Sequence, residues 1–341
     1  MRARRAPLAL AAIAVSFASG CYLAEIGAGQ ARLMRARTPI AHVLADPATP
    51  APVRERLELV SDVRTFASKL GLDVGDQYTS YAPWPGDRIV TALVATRPGE
   101  IQPYEFWFPL VGHVPYKGYF DEERAEQDAR EMEAEGFATC LSAVPAYSTL
   151  GWFKDPVTGP MLRGEESDLV ETLIHELVHR TVYALDAADF DEGIATFVGQ
   201  EGMIQFFEAR DGTASPTAAR ARALVADDRV ISATLEDMRG KVERLYRSEP
   251  AGPKREAARA AIETDARSAI SGLALTTQDA PALAREVQLG DACLALEGTY
   301  TGDLAHYEEA LVRAGDLPTL IVRAKEAALT GDPKRTLWHA P

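Results

Sequence analysis

The sequence predicts an α+β fold, mostly helical, with a small antiparallel sheet next to one long amphipathic helix. Three observations predict it. Apolar residues recur at helical spacing in several separate segments. Between 88 and 120 the texture changes to β-branched and aromatic runs (RIVTALVAT, EFWFPLVG, VPYKGYF) broken by Pro and Gly, which reads as short antiparallel strands. Residues 215–331 are rich in Ala, Arg and Glu and read as four or five helices. Hydrophobic residues at 47% and charged residues at 25% fit a globular chain with a real core, and no internal repeat or low-complexity linker interrupts it.

Taken in order, residues 22–37 are helical and stop at Thr38-Pro39. Residues 53–70 place Leu57, Val60, Val63, Phe66, Ala67 and Leu70 on one face, closed by Gly71. After the strands, residues 121–136 form a charged helix ending at Gly136, and 137–147 form another strand. A Pro/Gly-rich loop (152–164) leads to a helix from about 166 to 185 and a second from about 190 to 210.

The N-terminus carries an address. Arg2, Arg4 and Arg5 precede an apolar stretch, Leu8 to Phe17, that is too short to span a bilayer. Small residues Ala18, Ser19 and Gly20 then lead to Cys21. This order resembles a bacterial lipoprotein box with Cys21 as the acylated residue, although Ala18 stands where that box usually has Leu or Val. An ordinary cleaved signal or a short membrane anchor is the alternative. Residues 1–20 are thus read as signal and 21–341 as one domain, its sheet and two central helices within 53–210 and its helical C-terminal part at 215–331.

Loss of the three leading arginines takes the formal charge from −14 to −17. That balance excludes a nucleic-acid binder, which needs a basic face for phosphates. It also leaves membrane contact to the acyl chains, of which stable anchoring needs more than one. Cys140 and Cys293 remain. An oxidising compartment would let them pair, but Cys140 sits in an apolar run, and two separate buried thiols are expected.

The chemistry concentrates in ETLIHELVHRTVY. On a helix, His175 and His179 lie one turn apart on one face, and Glu176 flanks them. Leu169, Val170, Leu173, Ile174, Leu177, Val178 and Val182 form the opposite, core-facing stripe. Thr172, Tyr183 and Asp186 share the histidine side, which therefore lines a cleft. Two imidazoles call for a third protein ligand to one Zn2+.

Glu192 stands thirteen residues past His179, after a stretch (Ala184 to Asp189) long enough to turn the chain back. Ala195, Thr196 and Gly199 share its helix face, with Gly193 nearby, so two helices can approach closely there. Glu201 is the rival ligand. In such a site Glu176 takes the proton of an attacking water, and a further donor stabilises the oxyanion. Tyr147, Tyr116, Tyr119, Tyr183, Tyr300 and His306 are chemically able to serve, and spacing singles out none. Asp186, Asp189 and Asp191 are candidates to orient the imidazoles.

The wider series CYLAEIGAGQ, RTFASKLGL, FPLVGHVPYKGYF, AYSTLGWFKDP, HELVHRTVY, FDEGIATFVGQEG and TYTGDLAHYEEAL resembles the bacterial predicted-aminopeptidase family of zincin-like lipoproteins, over most of residues 21–330. The resemblance implies a lipid-anchored zinc metallopeptidase of the Glu-zincin type, with His175, His179 and Glu192 as ligands and Glu176 as base. Three positions depart from the family pattern: Asp191 replaces an Asn, Arg180 an uncharged residue, and Gly290-Asp291 an Asn pair. None removes a ligand.

Two functions follow: a zinc peptidase, an aminopeptidase as the resemblance implies, acting on peptide substrates, or a non-catalytic envelope lipoprotein that uses the fold as a binding module. All four chemical groups being present favours the enzyme. Residues 139–153, with Tyr147 and Ser148 near the cleft, are the expected edge strand for substrate pairing, a rigid loop being the alternative. Glu201 and Glu208 could hold a substrate amine. The acidic balance predicts a mild preference for basic peptides, and Tyr22 after the acylated Cys leans toward the outer membrane, facing the periplasm.

Overall fold

The computed structural model describes residues 22–108, 112–146 and 154–340. Cys21, Tyr147 and Ser148 lie outside the described residues. The chain opens with helix α1 (22–36), strand β1 (Thr38–Pro39), α2 (Ile40–Ala45) and α3 (Ala51–Lys69). Strands β2 (Ser80–Ala82), β3 (Val90–Thr96), β4 (Phe106–Phe108), β5 (Gly112–Val114) and β6 (Lys117–Tyr119) follow, then α4 (Glu122–Ala134), β7 (Ala138–Val144) and β8 (Val157–Thr158). The rest is helical: α5 (Gly159–Arg163), α6 (Glu166–Thr181), α7 (Ala188–Asp211), α8 (Pro216–Ser248), α9 (Pro253–Ser271), α10 (Ala280–Glu286), α11 (Asp291–Thr301), α12 (Leu304–Ala314), α13 (Leu317–Ala327) and α14 (Pro333–Trp338).

The fold is mostly helical with small sheets. In the main sheet β3 lies between β6 and β7, antiparallel to both, with Leu93 opposite Lys117 and Leu141. β3 is buried along its whole length, which its unbroken run VTALVAT suits. Strands β4 and β5 form a hairpin. The set β1-β2-β8 was not expected, and its β2–β8 pair is parallel.

Several expected boundaries are corrected. The loop 152–164 contains β8 and α5. Residues 215–331 hold six helices, not four or five, because Asp279 and Asp316 each cap a short helix with a Pro in its first turn. The helix expected to run to 185 ends at Thr181. Val182 is extended, and Asp186 has φ +58°, so the chain turns there. The two thiols expected to be separate are one disulfide, Cys140–Cys293, joining β7 to α11.

The largest core cluster is built around α3, α6 and α7, with Leu57, Val63, Leu173, Leu177, Ile194, Phe197 and Tyr307 fully buried. All seven apolar stripe residues of the HELVH segment are buried there. α6 starts with a reciprocal cap, the Glu165 amide donating to Asp168 Oδ2 at 3.0 Å. Close approach of α7 depends on Gly199. A Cβ there would sit 3.3 Å from the Glu171 carbonyl oxygen and 3.4 Å from His175 Cβ. Gly193, by contrast, faces Tyr307 rather than α6.

Candidate metal centre

The apolar face of α6 is fixed in the core, so its opposite face is fixed too, and His175 and His179 project from it one turn apart. Their Nε2 atoms are 3.1 Å from each other. The turn after α6 sends the chain back as α7, clipped where the Ala184 amide donates to Asp191 Oδ1 at 2.8 Å. The buried Tyr307 hydroxyl donates to the Phe190 carbonyl at 3.2 Å. These contacts set the rotation of the first turn of α7 and so the direction of Glu192.

Glu192 Oε2 lies 3.3 Å from each imidazole Nε2. Tetrahedral ligands on bonds of about 2.0–2.1 Å are separated by roughly 3.3–3.4 Å, so one Zn2+ fits these three donors with its remaining position open. Among the described residues this is the grouping of His, Cys, Asp or Glu side chains whose ligand atoms converge in this way. Glu201, the rival, instead pairs with Arg229.

Burial and mutual attraction set the charges of these groups. Burial would raise the Glu192 carboxyl, but His179 and His175 hold it well below the usual carboxylate range. Burial opposes protonation of His179, yet Glu192, with Glu176 and Asp191 nearby, pushes it up to about 9. Burial also pushes Asp191 up to about 7, against the Ala184 hydrogen bond and the nearby His179. A divalent ion held by the two imidazoles and Glu192 would lie next to these acidic groups.

Glu176 follows His175 on α6 and is half-buried. Its Oε2 is buried without a hydrogen-bond partner among the described residues, an uncommon state for a carboxylate unless a ligand completes it.

Of the candidate donors, the structure brings two to the ligands. The Tyr116 hydroxyl, just before β6, lies 3.3 Å from Glu192 Oε1. Tyr300, on α11, interacts with the Glu192 carboxylate, and its ring stacks near His175 with centroids 6.2 Å apart. Burial first, then Glu192, Tyr116 and Glu176, holds the Tyr300 phenol well above its ordinary pKa, so it keeps its proton. Tyr119 is engaged by Asp128, Tyr183 is exposed, and His306 packs on Trp338.

The other expectations resolve as follows. Asp189 pairs with Lys334, and Asp191 with the Ala184 amide. Arg180 is turned to Asp73, 3.0 Å away. Glu201 and Glu208, proposed for a substrate amine, are taken by Arg229 and Arg222. Sequence reasoning missed Tyr78, a buried side chain whose phenol is raised by burial and by Glu176. Nothing in the spacing ties it to a helix almost a hundred residues on.

A family model described as "Putative aminopeptidase" matches residues 21–338. Comparisons with curated proteins and with solved structures gave no match. The matched span takes in both ligand-bearing helices and the tyrosines around them, and the chain belongs to that aminopeptidase family as a zinc-dependent peptidase.

Proposed function

We propose that the chain is an aminopeptidase of the bacterial cell envelope in which His175, His179 and Glu192 hold the zinc and Glu176 is the general base. The observation that carries this reading is the convergence of the three donor atoms beside a carboxylate whose Oε2 is unpartnered. When bound, Zn2+ supplies Lewis-acid polarisation of the scissile carbonyl and lowers the pKa of water toward neutrality.

Glu176 accepts the proton of the attacking water at Oε2 and delivers it to the departing amine. The Tyr300 hydroxyl is the proposed donor to the oxyanion, the Tyr116 hydroxyl being committed to Glu192 Oε1. Tyr147 remains a proposed contributor from the segment after β7. β7 pairs on one side only, with β3, among the described strands. Its free edge is the proposed site of substrate pairing.

Residues 1–20 are proposed as a signal, Cys21 as the acylated anchor, and 21–341 as one domain, facing the periplasm from the outer membrane. The Cys140–Cys293 bond supports an oxidising compartment. No helix among the described residues is long and apolar enough to cross a membrane. Zinc analysis with a panel of fluorogenic peptides tests the activity, and N-acetylation of a cleaved peptide tests the exopeptidase reading. Stoichiometric zinc with no cleavage would favour a binding module, and cleavage that survives acetylation excludes a strict aminopeptidase.

A further inference from the structure

Two of the groups at the metal centre stand near helix ends. Glu192 lies close to the start of α7, and Tyr300 is in the last turn of α11, where it interacts with the Glu192 carboxylate. One side chain links both ends. Lys334, the second residue of α14, pairs with Asp189 and, at 2.5 Å, with Asp303. Asp189 is three residues before Glu192 on α7, and Asp303 is three residues after Tyr300, at the start of α12. A single ammonium thus bridges the two segments whose side chains meet at the site.

Lys334 is itself held in place. Asp332 caps α14 by accepting from the Arg335 amide at 3.1 Å, Leu337 is buried, and Trp338 packs against His306 of α12 with ring centroids 4.5 Å apart. The Lys334 side chain is 22% exposed and that of Asp303 23%, so salt screens this bridge less than a surface pair. Among the described residues the ion pairs of Asp189 and of Asp303 both run to Lys334. Without the ammonium, two like charges would stand roughly 5 Å apart and repel. A cavity of about 850 Å³, lined by all three groups and by Thr299, leaves the start of α7 and the end of α11 room to separate.

We propose that Lys334 is a positioning residue for the peptidase reaction, fixing the Glu192 end of α7 against the Tyr300 end of α11. It acts through those two side chains and not on the substrate. The proposal rests on the peptidase reading.

The test uses zinc-loaded wild type, Lys334→Met, Tyr300→Phe and the double variant. Lys334→Met is expected to lower kcat on the order of 10- to 100-fold, with KM little changed and zinc still at one ion. The deciding readout is the cycle. Once the Tyr300 hydroxyl is gone, the further loss from Lys334→Met should shrink to under about 3-fold, whereas general loosening of the fold costs the same factor in both backgrounds.

Wild-type turnover in Lys334→Met, or an equal loss in both backgrounds, overturns the assignment. Should Lys334→Met fail to fold, Asp303→Ala opens the bridge from its other end and takes its place in the cycle. If zinc-loaded wild type cleaves nothing, the peptidase reading fails separately. The cycle is then read in zinc affinity by competition with a chelator. A loss on Lys334→Met that shrinks in Tyr300→Phe supports the positioning role, and equal losses overturn it.

Discussion

Tyr116 and Glu192 share one carboxylate with the metal site: the tyrosine hydroxyl sits 3.3 Å from Oε1, while Oε2 faces both imidazoles. The two oxygens of one side chain thus have separate duties, and the hydroxyl keeps the carboxylate from rotating. Removing that hydroxyl should weaken zinc without abolishing it. Tyr116→Phe is expected to lower zinc affinity roughly 10- to 100-fold, as loss of a ligand's hydrogen-bond partner typically does. Glu192→Ala should lose more than that. Competition with a chelator measures both, and wild-type affinity in Glu192→Ala would remove Glu192 from the ligand set.

Glu176→Gln keeps the shape of the side chain and deletes its basicity. Zinc content should stay at one ion while kcat falls by about 10²–10⁴, the usual contribution of a positioned base. Unchanged turnover would show that some other group takes the proton.

Tyr300→Phe removes a donor held protonated beside the ligands. The loss should be in kcat, by roughly 10²–10³, with KM little changed. An equal rise in KM with kcat intact would mean that Tyr300 contacts the substrate in its ground state instead.

Glu171, one turn before His175, predicts a pH dependence of stability. Burial, then Asp228, then Asp168, pushes its carboxyl from 4.5 to about 8. An acid whose folded pKa is raised contributes stability that is fully present below its unfolded pKa and is lost as pH climbs through the folded one. The loss therefore spans about pH 4.5 to 8. Urea midpoints of wild type should fall across that window more than those of Glu171→Gln, and parallel curves would refute it.

Cys140 and Cys293 are separated by 153 residues in sequence. Closing so long a loop constrains the unfolded chain by about 5 kcal/mol on the entropic model. Dithiothreitol should lower the melting temperature of wild type and leave the Cys140→Ser, Cys293→Ser double variant unmoved.

The metal helices were readable because their pattern is local. The stripe from Leu169 to Val182 dictates which side of α6 meets the core, and the histidines are what remains on the other. Glu192 was readable because the small residues Ala195 and Gly199 imply a close helix pair. Which tyrosine reaches the ligands was not, since Tyr116 and Tyr300 arrive from a strand boundary and a distant helix, positions set by tertiary packing alone.

The disulfide was misread for a similar reason: the burial of Cys140 said nothing about which surface would cover it. The short helices at the C-terminal end were a different failure. Asp-Ala-Pro at 279–281, Asp-Leu-Pro at 316–318 and Asp-Pro at 332–333 announce helix starts in the sequence itself.

The bond between Cys140 and Cys293 also closes a covalent ring, and His175, His179 and Glu192 all lie inside it. One backbone cut anywhere within that ring leaves a single tethered molecule rather than two fragments free to diffuse apart. A nicked chain would migrate as one species until a reductant is added. The helices that carry the metal ligands thereby stay covalently joined to the rest of the protein after a first cut by a neighbouring hydrolase, or by another copy of itself.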